Sequence, residues 1–116
     1  MIIYNLSSIY SFQNLDSWLE EIHKITKKNV PMLIVGNGDP DRRALTFEEG
    51  KEYAENKGLG YVEISTQTNE NIDRAIDILI SEMIKCFKEK KEKTKAKIND
   101  EELNKKRKRN NNCILI

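Results

Sequence analysis

Two short polar segments of this chain have the composition of loops that read a ligand. Residues 36–41 are Gly-Asn-Gly-Asp-Pro-Asp, and residues 65–69 are Ser-Thr-Gln-Thr-Asn. Their amides, hydroxyls and carboxylates can hydrogen-bond the edges of a bound molecule, and their small side chains let it come close. His23, the single histidine, has no cysteine or carboxylate at ligand spacing, so no metal site is predicted. The predicted chemistry is recognition, with no catalytic residue.

The C-terminus carries a different kind of chemistry. Cys113, followed by Ile-Leu-Ile, fits the C-a-a-X pattern for prenylation, and the aliphatic last residue favours geranylgeranyl over farnesyl. Five consecutive cations precede it, namely Lys105, Lys106, Arg107, Lys108 and Arg109. One lipid chain anchors a protein only marginally, and a basic run against an anionic leaflet supplies the second signal. We therefore expect a lipid anchor on the cytoplasmic face of a membrane, with prenyltransferase and CaaX-processing enzymes as partners.

Charge divides the chain into the same two parts. The 116 residues have a net charge of +1, but residues 1–84 carry 8 Lys and Arg against 14 Asp and Glu, and residues 85–116 carry 12 against 5. The basic run could instead be a nuclear-import or nucleic-acid patch; no aromatic residue interleaves with it, so nucleic acid is the less favoured partner. No apolar run approaches the roughly 20 residues of a bilayer span.

Alternating strands and helices are predicted to position the two polar loops. Strands are indicated by apolar runs at residues 1–4, 30–35 and 61–64. Helices are indicated by apolar spacing of three and four at residues 12–25, in the segment from 46 to 58, and at residues 72–87. This order implies a parallel sheet with helices on both faces. Ligands bind beyond the carboxyl ends of such strands, where both polar loops fall.

Local signals predict several details of these elements. Thr46 and Glu49 form a capping box, and Gly58 suits the end of the helix that they begin. Phe12 and Trp18 are predicted core residues by their periodicity. Either Ser7 or Ser8 can cap the first helix, and Arg42 and Arg43 are expected to pair locally with Asp39 or Asp41.

At this point the chain resembles the C-terminal half of a Ras-superfamily small GTPase, most closely the Rab family. Residues 11–22 are similar to the family's third helix, residues 30–37 to the strand leading into its N-K-x-D guanine loop, and residues 63–68 to its E-x-S-A-K-T segment. The resemblance runs from about Ile2 to Phe87. It implies an α/β fold in residues 1–90, a partial P-loop-GTPase-like sheet of about three strands with three helices. Residues 91–116 would be a disordered, hypervariable basic tail ending in a CaaX box.

The resemblance also implies a GTP- or GDP-binding site, but the motifs depart from the family pattern. Asn37 is kept, Gly38 replaces the lysine, and Asp39 can serve as the guanine carboxylate only if the loop is rebuilt, because Pro40 stands at the strict position.

In residues 65–69, Ser65 is kept, Thr66 replaces alanine and Gln67 replaces lysine. The implied nucleotide site is therefore degenerate at both loops. No G-x-x-x-x-G-K-[ST] or D-x-x-G motif occurs in the chain, so Mg²⁺ is not expected and the chain as given is not expected to hydrolyse GTP.

Three hypotheses follow from these observations. The first is an N-terminally truncated, Rab-like protein tethered through prenylated Cys113, in or derived from small-GTPase signalling or vesicle trafficking, with unknown Rab-type effectors. The second is an active GTPase whose N-terminal half is missing from the gene model. The third, from another class, is a basic-tailed nuclear or nucleic-acid-associated protein.

Overall fold

A computed structural model describes residues 1–26 and 29–113, with side chains as far as residue 109. The chain divides into two compact units, Met1–Met83 and Ile84–Ile116. The helices are α1 (Ile9–Gln13), α2 (Leu15–Ile25), α3 (Phe47–Asn56) and α4 (Ile72–Cys113), and Pro40–Arg42 forms a 3₁₀ turn. Among the described residues, no helix is both long enough and apolar enough to cross a bilayer.

The predicted parallel sheet is confirmed. It contains β1 (Ile2–Asn5), β2 (Leu33–Asn37) and β3 (Gly60–Ile64) in the order β1-β2-β3, with both pairs parallel. The register aligns the last residue of each strand pair, because Asn5 is opposite Asn37 and Asn37 is opposite Ile64. All three strands therefore end at one edge, and the loops that follow them start side by side.

Each face of the sheet has its own apolar core. The first core packs α1, α2 and α3 on the sheet and is formed by Ile2, Tyr4, Leu6, Leu15, Leu19, Ile34 and Ala54. The second lies under the first turns of α4 and is formed by Leu33, Val35, Val62, Ile64 and Ala75. The strands alternate between these cores, so β2 is buried on both faces, as its apolar run predicts.

The first predicted helix, at residues 12–25, is divided into α1 and α2. One of its two predicted core residues is exposed. Ser8 caps α1 by accepting from the Ser11 amide, and α2 begins immediately after Asn14. Phe12 packs edge-on against Tyr4 as predicted, with ring centroids 5.3 Å apart. The prediction for Trp18 was wrong, because its side chain is 60% exposed. The helix buries Leu15 and Leu19, which places Trp18 at the flank of the buried stripe.

The predicted ends of α3 are confirmed. Thr46 accepts from the Glu49 amide at 3.2 Å, and the Glu49 carboxylate accepts from the Thr46 amide at 2.8 Å. Gly58, just past the helix, has a φ of +70°, a left-handed conformation that favours glycine.

The predicted disorder of the basic tail was wrong for residues 91–113. α4 continues through these residues to Cys113, and residues 88–109 are exposed throughout. The segment is rich in Lys and Glu, which are good helix formers, and it contains neither Gly nor Pro. Its backbone hydrogen bonds are made within the helix and need no core. The last three residues, Ile114 to Ile116, lie outside the described part of the chain.

A chain of polar side chains joins β1, β3 and the loop after β2. The hydroxyl of Tyr61 donates to Glu63 Oε1 at 2.9 Å, so Tyr4 is the donor in the 2.7 Å bond between the two hydroxyls. Arg43 donates from both terminal nitrogens to the Glu63 carboxylate, at 3.0 and 2.9 Å. We call these four residues the tyrosine–carboxylate cluster. The expected local pairing of Arg43 was therefore wrong, because its partner is 20 residues away.

The cluster is packed against two glycines. A Cβ on Gly50 would clash with the Tyr61 hydroxyl and lie 2.8 Å from the Tyr4 hydroxyl. A Cβ on Gly36 would lie 3.1 and 3.2 Å from the same two hydroxyls. The tyrosine pair therefore fills the space in which β2 and α3 lack side chains.

Burial raises the pKa of Tyr4 and of Tyr61 above the ordinary tyrosine value, and the charge of Glu63 acts in the same direction. The hydrogen bonds from Arg43 to Glu63 raise the pKa of the guanidinium. The folded protein consequently keeps both phenols neutral and the Arg43 guanidinium charged.

We predict that Gly50→Ala lowers the free energy of unfolding by about 1–3 kcal/mol, because the methyl group overpacks the tyrosine pair. At an exposed helix position the same change would stabilise by up to about 1 kcal/mol. Urea unfolding measures the difference. Glu52→Ala, on the exposed side of α3, is the control and should change stability by no more than about 0.5 kcal/mol. Stabilisation by Gly50→Ala would contradict the packing described.

We also predict that stability falls as the pH rises above about 10, the pKa of a tyrosine in the unfolded chain. Above that pH the unfolded state loses protons that the folded state retains, so the unfolded state is favoured. Tyr4→Phe should make the fall with pH shallower than in the wild type, whereas Tyr10→Phe, which changes an exposed tyrosine, should not. Unfolding free energies at neutral and alkaline pH measure these slopes, and equal slopes for the wild type and Tyr4→Phe would disprove the prediction.

Candidate ligand-recognition site

A cavity of about 710 Å³ lies at the carboxyl edge of the sheet. Its lining residues come from β1, from the end of β2 and from the segments that follow the three strands: Ile3, Tyr4, Asn5, Ser7, Ser11, Asn37, Gly38, Asp39, Arg42, Ser65, Thr66 and Gln67. The structure thus brings together all five residues that the sequence singles out for nucleotide binding. They are Asn37, Asp39, Ser65, Thr66 and Gln67.

We call the segments that follow β1, β2 and β3 the first, second and third loops. The side chain of Asn37 joins the second loop to the third. Its Oδ1 accepts from the Thr66 amide at 3.2 Å, and its Nδ2 lies 3.3 Å from Thr66 Oγ1 as a donor. Thr66 Oγ1 also lies 3.3 Å from Asn37 Oδ1. Both ends of the Asn37 amide therefore have a protein partner. This contact fixes the two loops relative to each other, and it competes with any ligand for the Asn37 amide.

Ser65 anchors the third loop through hydrogen bonds to other residues of that loop. It is buried, its amide donates to the Glu70 carbonyl at 3.1 Å, and its Oγ accepts from the Thr68 amide at 3.3 Å. Asn71, at the far end of the loop, donates to the Glu63 carbonyl at 3.0 Å. The loop is thus closed on itself, and Thr66 and Gln67 are left exposed at its tip.

The second loop has a conformation that explains its departure from the expected motif. Gly38 has a φ of +147°, which side chains other than glycine rarely adopt, so a lysine would be strained there. Asp39 caps the 3₁₀ turn that begins at Pro40, and its Oδ1 accepts from the Asp41 amide at 2.9 Å. Arg42 Nε lies 3.9 Å from the other oxygen. The Asp39 carboxylate therefore lines the cavity and at the same time caps the 3₁₀ turn.

Sequence reasoning missed the contribution of the first loop. Asn5 Oδ1 accepts from the Ser7 amide at 3.0 Å and from its hydroxyl at 2.8 Å. Ser11 Oγ accepts from the Asn5 amide at 2.9 Å and donates to the Ser8 carbonyl at 2.8 Å. The signal was present, because Asn5 ends a parallel strand at the same edge as the other two loops.

The lining supplies hydrogen-bonding groups from three sides and suits a small polar ligand. Amides and hydroxyls dominate, with one carboxylate, Asp39, and one cation, Arg42. Within the described residues, no group of three His, Cys, Asp or Glu side chains could hold a metal ion. The arrangement can bind and orient a ligand through hydrogen bonds.

The predicted membrane-binding residues lie in the second unit. The run Lys105 to Arg109 is helical and exposed near the end of α4. The backbone of Cys113 is the last position of that helix. The remaining residues of the C-a-a-X pattern fall outside the described residues.

The sequence is similar to proteins of a known family. The pattern of the Ras family matches residues 1–85. Ras-related protein RabZ of Dictyostelium discoideum is 31% identical over 90 residues, covering 76% of this chain and 39% of its own length. Ras-related protein RABA4a of Arabidopsis thaliana is 30% identical over 92 residues, covering 78% of this chain and 41% of its own. Ras-related protein RabC of Dictyostelium discoideum is 27% identical over 93 residues, covering 78% of this chain and 47% of its own length.

This chain therefore spans less than half the length of these curated relatives. The matched residues include all three strands, α1 to α3 and the first turns of α4. The family match covers the whole of the unit that contains the cavity. The chain belongs to the Ras family, among its Rab-type members.

Proposed function

We propose that this chain is the base-recognising part of a membrane-tethered Rab-type protein, with a weakened guanine site. The observation that carries the proposal is the cavity in which Asn37 and Thr66 join the loops that follow β2 and β3. A purine base presents donors and acceptors along its edge, and this lining offers complementary groups from three loops.

Two contacts support the idea that the guanine site is weakened. Selection of guanine requires a carboxylate that accepts from two neighbouring N–H groups of the base, and Asp39 already accepts from the Asp41 amide. Thr66 also occupies the Asn37 amide. A ligand must break or share these bonds, and a site that leaves polar partners unpaired loses affinity.

We further propose that the chain as given does not hydrolyse GTP. Phosphoryl transfer depends on groups that position the phosphates and Mg²⁺, and the sequence contains no G-x-x-x-x-G-K-[ST] or D-x-x-G motif. The alternative is an active GTPase in which these motifs are encoded upstream. The DNA preceding Met1 separates the two, because in-frame copies of both motifs would support the active enzyme.

The tail is proposed to tether the protein to an anionic cytoplasmic membrane surface through prenylated Cys113 and the basic run 105–109. Rab-type effectors, prenyltransferase and CaaX-processing enzymes are the proposed protein partners. A role in vesicle trafficking is consistent with the family, and identifying the effector that binds this chain would test it. A nuclear or nucleic-acid-associated role is the alternative from another class.

For the site, we predict that this chain binds a fluorescent GTP analogue more weakly than micromolar. Thr66→Ala should increase the affinity, because it frees the Asn37 Nδ2 group while leaving the Thr66 amide bond in place. Thr68→Ala, in the same loop, is the matched control and should leave affinity unchanged. Equilibrium fluorescence titration is the measurement. Micromolar or tighter binding by the unaltered chain would disprove the weakened site.

For the tether, we predict that Cys113→Ser releases the protein from cell membranes into the soluble fraction. The single remaining thiol, Cys86, provides a control, and Cys86→Ser should leave membrane association unchanged. Fractionation and fluorescence imaging of the tagged chain are the measurements. If Cys113→Ser leaves the location unchanged, the lipid tether is wrong and the nuclear alternative gains support.

A further inference from the structure

The second unit of the chain presents one helix face with an unusual combination of residues. Residues 87–109 of α4 are all exposed. Successive helical residues are turned by about 100°, so positions three, four, seven and eleven apart share a face. Within an arc of about 80° this rule places Phe87, Lys91, Lys95, Ile98, Lys105 and Arg109. We call these six residues the tail face.

The tail face is more positive than the opposite side of the helix. Glu102 is the one acidic residue of 87–109 that falls within its arc, against the four cations of the face. The opposite arc of the same width holds two acidic residues, Glu89 and Asp100, and two basic residues, Lys93 and Arg107. With Glu102 included, the arc of the tail face thus carries a net charge of +3, and the opposite arc carries no net charge.

Two large apolar side chains lie among the cations of the tail face. Phe87 is 64% exposed and Ile98 is 52% exposed. They are eleven residues apart, which is three helical turns or about 16 Å. Apolar groups flanked by lysines are typical of helices at a membrane interface, where the apolar groups enter the acyl boundary and the lysine stems extend to the headgroups.

We propose that the tail face docks on an anionic phospholipid bilayer, with the helix axis in the plane of the membrane. The inference rests on the proposed membrane tether and adds a defined orientation and residues upstream of the basic run 105–109. The face extends over about 33 Å of helix, long enough for all of its residues to contact one bilayer surface. A phosphate backbone would use the cations alone and leave Phe87 and Ile98 in water.

The position of the tail face along the chain agrees with a lipid anchor. Arg109, its last residue, stands four residues before Cys113 in the sequence. A lipid on Cys113 would hold the end of the helix at the membrane, and the tail face would then bind without a further loss of translational freedom. The face and the lipid act as two weak signals that together give a stable attachment.

The test uses the full chain carrying Cys113→Ser, so that no lipid can contribute. Cosedimentation with phosphatidylserine–phosphatidylcholine vesicles compares Lys91→Gln/Lys95→Gln with Lys93→Gln/Lys97→Gln. Both double variants remove two lysines four residues apart, but only the first pair lies on the tail face. We expect the first pair to weaken binding by roughly 10- to 30-fold and the second by less than about threefold. Lys91→Arg/Lys95→Arg should restore binding.

The apolar residues are tested in the same way. Phe87→Ala and Ile98→Ala should each weaken vesicle binding several-fold. Leu103→Ala should not, although Leu103 is 55% exposed and thus similar to Ile98, because it lies on another side of the helix. Circular dichroism should show equal helix content for all variants, which excludes loss of the helix as the cause.

Three results would overturn the inference. Equal weakening by the two lysine pairs would indicate diffuse attraction without a face. Binding to neutral phosphatidylcholine vesicles alone, or to no vesicle, would exclude an anionic membrane as the partner. Tighter binding to duplex DNA, unaffected by Phe87→Ala, would assign the face to nucleic acid. Because the chain lacks Cys113 throughout, failure of the lipid tether in cells would leave these results unchanged.

Discussion

The Glu63 carboxylate lies between β3 and the loop after β2, where its side chain is only 13% exposed. A carboxylate at this depth must be paired, and it receives both terminal nitrogens of Arg43 and the hydroxyl of Tyr61. The Arg43 side chain is 26% exposed, so the pair is shielded from water without being fully buried, and removing one partner would leave the other without its opposite charge. The ion pair therefore holds the loop after β2 against the neighbouring strand, and the cavity keeps its shape.

The same constraint extends to the glycines and the first strand. The Tyr61 hydroxyl that donates to Glu63 lies in the space where Gly36 and Gly50 lack side chains, and the Tyr4 hydroxyl donates to it from β1. A missing Cβ in α3 is thus needed for a hydrogen bond in the sheet. Above this rigid layer, the cavity is lined by loops whose polar groups mostly bond one another. The chain thus keeps the fold of the matched part of the Ras family, while polar groups that line the cavity are occupied by partners within the protein.

The fold was largely predictable because its elements depend on local patterns. The apolar runs of β2 and β3, the Thr46 capping box and the turn at Gly58 each depend on a few neighbouring residues. Trp18 was misplaced because periodicity gives a stripe and not its edges, and only packing on the sheet shows that Leu15 and Leu19 define the buried side. The absence of an apolar stripe predicts disorder for the basic tail, and the extension of α4 to Cys113 was therefore not predicted. A run of Lys and Glu without Gly or Pro can be helical with no core to pack on.

The sequence by itself determined the order of strands and helices, the helix caps, the edge of the sheet at which the polar loops lie and the separation of an acidic body from a basic tail. These features can be predicted from the spacing of residues one to four positions apart or from composition. Only the tertiary structure decided that Arg43 belongs to Glu63, that Asn37 is occupied by Thr66, and that Asn5 contributes a third wall to the cavity. Arg43 and Glu63 are 20 residues apart in the sequence, and Asn37 and Thr66 are 29 apart. Which of them meet is decided by the register of the parallel strands, because that register sets which side chains come within hydrogen-bonding distance.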